Sequence, residues 1–290
     1  MKKKFDRTSE DVGNIVHLEH VNVTQPDQRL AILFYIAGLG FTRDPYMFPG
    51  LDNMWINIGR NQIHMPSREP MPQVLRGTIG LVVPELALLK KRLDKIAPGL
   101  QGTKFSFEDR GDFVAATCPW GNRFRCHAPA PEFGAIELGM PYIEFDVPQG
   151  SAAGIARFYT EIIGAPGKVV DEDGSATASV VAGKDQRLLF RETTATMAPY
   201  DGHHIQIYIA DFSGPYKKLL ERGLISLETD AHEWRFIDIV DPDSGKTLFR
   251  IEHEVRSIKH PLFGRPLVNR NPAQTNTNYQ RGQDAFRGFY

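Results

Sequence analysis

The sequence predicts an α+β fold made of four strand–helix–three-strand units (βαβββ) related by internal duplication. Three observations lead there. Short segments in which apolar and polar residues alternate recur along the chain. Each group opens with one strand, continues with a helix of period 3.6 and closes on a hairpin. Corresponding features in the two halves lie roughly 122 to 126 residues apart.

Residues 1–13 read as a polar lead-in. The first strand is Val16-His17-Leu18-Glu19-His20-Val21-Asn22-Val23-Thr24. Its alternation slips once in phase, at Glu19. Period 2 then sets His20, Asn22 and Thr24 opposite Val21 and Val23. Pro26 and Asp27 suit the first turn of a helix. Leu30, Leu33, Phe34 and Ala37 follow at i, i+3, i+4 and i+7, and Gly38-Leu39-Gly40 ends it. Phe41-Thr42-Arg43 starts a second strand. Residues 53–58 and 61–65 form a hairpin around Gly59-Arg60.

The second unit runs from a strand at 78–83 through a helix marked by Leu86, Leu89, Leu93 and Ile96 to strands at 105–107, 113–117 and 123–127. The first half thus spans 14–128. A Pro- and Gly-containing linker follows at 129–137, and the second half spans 138–255. Its third unit opens at Tyr142-Ile143-Glu144-Phe145, repeats the helix spacing with Ile155, Phe158, Tyr159 and Ile162, and closes with strands at 176–181 and 187–191. The fourth opens at His203-His204-Ile205-Gln206-Ile207-Tyr208-Ile209. Its helix carries Phe212, Tyr216, Leu219 and Leu220, and strands follow at 234–240 and 248–253. Residues 256–290 have no strand or helix period. They read either as an extended arm, on the chain's own body or on a neighbouring subunit in a homodimer, or as disorder.

The 290 residues are 41% hydrophobic and 24% charged with net charge -1, so the chain is globular and not a general nucleic-acid or anionic-membrane binder. Its two cysteines form no disulfide framework or CxxC zinc motif. No apolar run of about 18 residues spans a membrane. No signal peptide is evident, so a soluble, cytoplasmic protein is expected.

The paired units resemble the vicinal oxygen chelate superfamily, which includes glyoxalase I, type I extradiol dioxygenases and bleomycin-resistance proteins. The resemblance spans residues 14–255. It is carried by His20-Val21-Asn22-Val23, by Phe34-Tyr35 with Gly38-Leu39-Gly40-Phe41, and by Gln62-Ile63-His64. Phe158-Tyr159 with Ile163-Gly164, His204, and Asp241-Pro242-Asp243 complete the set. It implies the glyoxalase/bleomycin resistance/dioxygenase fold: two curved mixed β-sheet cups, with metal ligands on the first and last strands of each unit.

Transferred to this chain, those positions are His20, His64, His204 and Glu252. Glu252 follows from aligning Phe124-Arg125-Cys126-His127 with Phe249-Arg250-Ile251-Glu252. All four lie in units one and four, so a one-with-four, two-with-three pairing collects a complete ligand set in one cup. Imidazoles plus a carboxylate suit Fe(II), Mn, Zn, Ni or Co. His20, His204 and Glu252 match the two-His, one-carboxylate triad that favours Fe(II). His64 is either a fourth ligand or a catalytic acid or base, and Tyr208 is a second candidate proton carrier. Asn22, Trp55, Asn57, Gln206 and Arg250 are candidate substrate contacts. His17, His127 and His253 read as surface or hydrogen-bonded residues, and His203 as a solvated neighbour of His204.

The function expected is that of a metal-dependent, extradiol-dioxygenase-like oxidoreductase, with a small vicinal-oxygen substrate and O2. The alternatives are a glyoxalase-type lyase or isomerase on the same metal and a metal-free small-molecule binding or resistance protein.

Overall fold

The computed structural model describes residues 5–44, 47, 52–67, 71–230, 232–265, 267 and 277. Unit one comprises β1 (Ile15–Asn22), α1 (Gln28–Ala31), β2 (Thr42–Arg43), β3 (Asn53–Ile58) and β4 (Asn61–Pro66). Unit two comprises β5 (Gly77–Val82), α2 (Leu86–Ile96), β6 (Ser106–Asp109), β7 (Phe113–Thr117) and β8 (Arg123–His127). Unit three comprises β9 (Gly139–Pro148), α3 (Ala152–Arg157), β10 (Gly167–Glu172), β11 (Ser175–Val181) and β12 (Arg187–Thr193). Unit four comprises β13 (His204–Ile209), α4 (Ser213–Leu220), β14 (Ile225–Thr229), β15 (Glu233–Val240) and β16 (Thr247–Ser257). The sequence pattern leaves β10 and β14 unmarked because both are largely exposed and need little apolar alternation.

Local chemistry explains the helices. Asp27 caps α1, its Oδ1 accepting from the backbone N–H groups of Arg29 and Leu30. α1 and α3 each widen into π-helical turns, Ile32–Gly38 and Phe158–Ile163, in equivalent places of the two halves. These turns bury Phe34-Tyr35 and Phe158-Tyr159 against the backs of the sheets.

Two eight-stranded mixed sheets result, ordered β14-β15-β16-β13-β1-β4-β3-β2 and β10-β11-β12-β9-β5-β8-β7-β6. Unit one therefore pairs with unit four and unit two with unit three. Antiparallel seams join them, β1 with β13 and β5 with β9. The closing strand of each unit runs parallel to its opening strand.

Two buried amides tie the sheets together. Asn61 donates to Leu18 O (2.7 Å) and accepts from Met140 N (2.8 Å). Gln186 accepts from Leu18 N (3.2 Å) and donates to Leu18 O (2.9 Å) and Met140 O (3.0 Å). Gly59, at φ +61°, makes the turn before Asn61; a Cβ there would lie 2.0 Å from Leu138 O.

The linker contains a short 3₁₀ turn, Pro131–Phe133, that buries Phe133. β16 runs through Ser257, so the expected arm begins two residues later than position 256 and Arg256 belongs to the sheet. The remainder of the arm from 268, Thr277 apart, lies outside the described residues. Among the described residues no helix is long and apolar enough to cross a membrane.

Replacing Gln186 with Leu removes the bonds it makes to Leu18 N and Met140 O, while Leu18 O keeps Asn61. We expect a loss of about 2–3 kcal/mol, read as a lower urea midpoint; an unchanged midpoint would show that the clamp contributes nothing.

Candidate metal centre

The slip in phase at Glu19 is a β-bulge. Against β13, Leu18 pairs with Ile207 and His20 with Gln206, leaving Glu19 as the extra residue. The bulge turns both Glu19 and His20 into the concave side of the sheet, where Glu19 is buried and His20 is fully buried. Beyond it the register is regular: Val21 faces Ile205 and Asn22 faces His204. His20 and His204 thus occupy equivalent positions across the seam, each opposite an amide side chain.

The closing strands complete the symmetry. In unit one, Asn22 lies opposite His64. In unit four, the equivalent residue Gln206 lies opposite Glu254, while Glu252 lies opposite His204. The position equivalent to His64 is therefore Glu254 and not the expected Glu252, which matches Gln62. One donor atom from each of His20, His204 and Glu254 lies within 4.8 Å of the others. Glu252 is drawn aside, its Oε1 accepting from Arg235 Nη1 at 2.8 Å.

Three observations fit these residues to a divalent cation. The Nε2 atoms of His20 and His204 are buried and make no well-aligned hydrogen bond among the described residues, although His204 Nε2 lies 3.3 Å from Glu254 Oε2. Such an arrangement is costly unless something occupies the lone pairs. His20 Nδ1 lies 3.2 Å from Glu19 Oε2; with the proton on Nδ1, Nε2 is left as the donor lone pair, the carboxylate–histidine arrangement common behind metal ligands. The surrounding charge is negative: among the described residues, the ion pairs here set Glu19, Glu233, Glu252 and Glu254 against Arg235 and Arg256.

The electrostatics set the protonation states. Burial pushes His20 well below the usual imidazole value, so it is neutral. Burial alone would raise Glu254, but the polar contact with His204 and the charges of Arg256 and Arg235 outweigh it and hold the carboxyl ionised. Arg256 Nη2 is 2.5 Å from Glu254 Oε1, and Arg235 Nη2 is 2.8 Å from Oε2.

His64 borders this set, its ring centroid 5.9 Å from that of His20. Asn22 Nδ2 donates to its Nδ1 at 2.5 Å, and its Nε2–H donates to Asn53 Oδ1 at 2.7 Å. Both ring nitrogens are taken, and burial lowers the pKa to about 2. The ring stacks on Trp55 at 3.8 Å, and Trp55 meets His20 edge-on. Among the described residues, Gln206 is fully buried with neither amide atom partnered, and Trp55 Nε1 is also without a partner. Asn57 accepts from Gln62 deeper in the cup. Tyr208 is fully buried, its hydroxyl donating to Glu19 at 3.4 Å.

Two residues lie elsewhere than the sequence suggests. Arg250 shares the concave face but lies four residues from Glu254, about 13 Å along the strand; it is exposed and pairs with Asp238. His203, expected to be a solvated neighbour of His204, is instead fully buried, with Nδ1 2.5 Å from Asp201 Oδ1. Sequence reasoning missed Glu19, Asn53, Arg235, Glu254 and Arg256. Period 2 from Glu252 reaches Glu254 and Arg256, so their face was legible, but the register that ranks Glu254 above Glu252 was not.

Among the described residues the second cup holds no comparable set. Thr78 lies opposite Glu144, whose carboxylate is engaged by Arg125 in two hydrogen bonds of 3.1 and 3.2 Å. Tyr142 lies across Gly80, where a Cβ would sit 2.4 Å from the ring, and its hydroxyl bonds His127. Arg125, Glu144 and Tyr142 thus lie together on this concave face.

No protein-family model and no curated protein matches this sequence. Solved structures do. A “putative dioxygenase” from Bacillus subtilis subsp. subtilis str. 168 aligns over 86% of this chain and 86% of its own, at 14% identity and TM-score 0.56. Glyoxalase I from Zea mays aligns over 87% of this chain and 95% of its own, at 13% identity and TM-score 0.54. A point mutant of that maize enzyme covers 83% and 92% at 15% identity and TM-score 0.56. The chain has the fold of the vicinal oxygen chelate superfamily. At such identities these likenesses establish architecture, and function rests on the site.

The buried histidines fix a pH dependence. His64 and His253 titrate at about 2 and about 4 when folded, and His20 well below 6.5, all because of burial. Unfolded, each binds a proton near pH 6.5, so between there and its folded value the unfolded state holds more protons. Stability is therefore full above pH 6.5 and falls below it, by up to about 1.4 kcal/mol per pH unit per histidine. We expect urea midpoints of the metal-free chain to drop between pH 7 and 5, above the range where Glu254 titrates, with a shallower slope in His253→Gln. A flat profile would contradict the burial argument.

Proposed function

We propose that this chain is a divalent-metal-dependent, dioxygenase-like oxidoreductase acting on a small molecule with two vicinal oxygens and on O2. The observation that carries this reading is the convergence of His20 and His204, whose buried Nε2 atoms make no well-aligned hydrogen bond among the described residues, on the ionised Glu254. His20, His204 and Glu254 would hold the ion, and two imidazoles with one carboxylate favour Fe(II) over Mn, Zn, Ni or Co. When bound, the ion supplies Lewis-acid polarisation and one-electron redox chemistry.

The chain's own residues do the rest. Glu19 holds the proton on His20 Nδ1 and fixes the ring's orientation. Arg235 and Arg256 keep Glu254 ionised and held in place. Trp55 and His64 form a flat wall, with His64 locked between Asn22 and Asn53, so we assign His64 to the wall and not to a fourth ligand position. Gln206 and the Trp55 indole N–H present buried hydrogen-bonding groups suited to orienting substrate oxygens. Tyr208 carries a proton on its hydroxyl next to Glu19, which makes that pair the proton carrier nearest His20.

Metal analysis of protein purified without oxygen tests the reading. We expect about one divalent ion per chain, retained in Glu252→Ala and lost in His20→Ala and Glu254→Ala. Removing the carboxylate behind His20, in Glu19→Gln, should weaken affinity roughly 10- to 100-fold. Oxygen uptake with catechol-type compounds should require the ion. Metal-free wild-type protein would overturn the site, and metal-loaded protein indifferent to oxygen would overturn the oxygenase in favour of a lyase or isomerase.

A further inference from the structure

The concave face of the sheet that carries His20, His204 and Glu254 is exposed at one end and sealed at the other. Along β16 the side-chain exposure falls from 56% at Arg250 through 21% at Glu252 to 4% at Glu254. Along β13, His204 is partly exposed, whereas Gln206 and Tyr208 are fully buried. What covers the sealed end comes from outside the four units. After Ser257 the chain makes successive turns, with His260 N donating to Ser257 O, Phe263 N to His260 O and Arg265 N to Leu262 O, at 2.9 to 3.1 Å.

This segment touches both units. The Phe263 ring meets Tyr208 of β13 edge-on at 4.9 Å, and the His260 ring lies 6.3 Å from it. Two residues further, Arg265 Nη2 reaches Asp44 Oδ2 at 2.6 Å. That carboxylate is buried and also accepts from Gln62 of β4, which in turn bonds Asn57 of β3. Since β1 lies between β13 and β4, residues 263–265 cross over β1 on its concave side, at the level where His17 faces Tyr208 and His20 faces Gln62. An ion pair to a carboxylate already out of water is a firmer anchor than a surface pair.

We infer that residues 258–265 are a strap closing one end of the cup, that Arg265 latches it to Asp44, and that Phe263, through Tyr208, sets the depth of the binding space. Phe263 is then a specificity-determining residue, and a molecule enters from the His204 and Glu252 end. Shortening Phe263 would admit substituents directed along β13 past Tyr208. The inference needs no metal and stands apart from the oxygenase reading.

Tetranitromethane, which nitrates accessible tyrosines, tests it on the full-length protein, with sites mapped by mass spectrometry. In the wild type we expect Tyr208 to react far more slowly than Tyr216, the internal standard. In Phe263→Ala and Arg265→Ala the Tyr208 rate should rise about tenfold or more as the strap opens, while Arg265→Lys stays near wild type. Tyr159, fully buried in the core, should remain unmodified throughout. If a substitution at Arg265 unfolds the chain, Phe263→Ala decides, because Phe263 is 39% exposed and outside the core. Wild-type Tyr208 reacting as fast as Tyr216, or equal Tyr208 rates in wild type and Phe263→Ala, overturns the strap.

Discussion

The antiparallel seam between β1 and β13 is the constraint on which the rest of the cup depends. Six residue pairs join strands from opposite ends of the chain. The seam sets His20 and His204 in equivalent places, and through the parallel closing strands it fixes where His64 and Glu254 arrive. Sliding either strand by one residue would turn its polar face to the core and its apolar face to the cup, so the register is specified by burial on the other side. Ile205, Ile207, Val21 and Ile63 provide that burial.

Within the seam, the bulge at Glu19 resolves a conflict. A regular strand would point Glu19 into the core opposite His20. The extra residue instead brings both to the concave side, where Glu19 meets His20, Arg256 and Tyr208. A carboxylate beside His20 Nδ1 favours a proton on that nitrogen, and two guanidiniums hold Glu254 ionised. The cup then presents donors of defined charge before any ligand arrives.

The two cups show how one scaffold yields different outcomes. At the place of His20 the other sheet has Thr78, and its carboxylate, Glu144, is neutralised by Arg125 at close range. Tyr142 fills the remaining space over Gly80. Duplication repeated the backbone, and side-chain volume and charge decided which cup stayed open to chemistry.

Much of this was legible in the sequence. Alternation and helical spacing identify the four units, and the crowding of His20, His64 and His204 into units one and four favours the pairing that the sheets adopt. Those signals are local, since each depends on residues a few positions apart that must face the same way. The error at Glu252 has a different origin. Period 2 tells which residues of β16 share the concave face, but Glu252 and Glu254 share it equally, and only hydrogen-bonded register against β13 chooses between them. The same holds for His64, whose Nδ1 lone pair accepts from Asn22 and whose Nε2–H is donated to Asn53, and for Arg250, on the same face but farther along it. The sequence by itself determined the units, their faces and the chemical types available. The tertiary structure alone decided which carboxylate meets the imidazoles and that the segment after β16 seals the cup. Those outcomes rest on contacts between residues far apart in sequence, about which local periodicity carries no information.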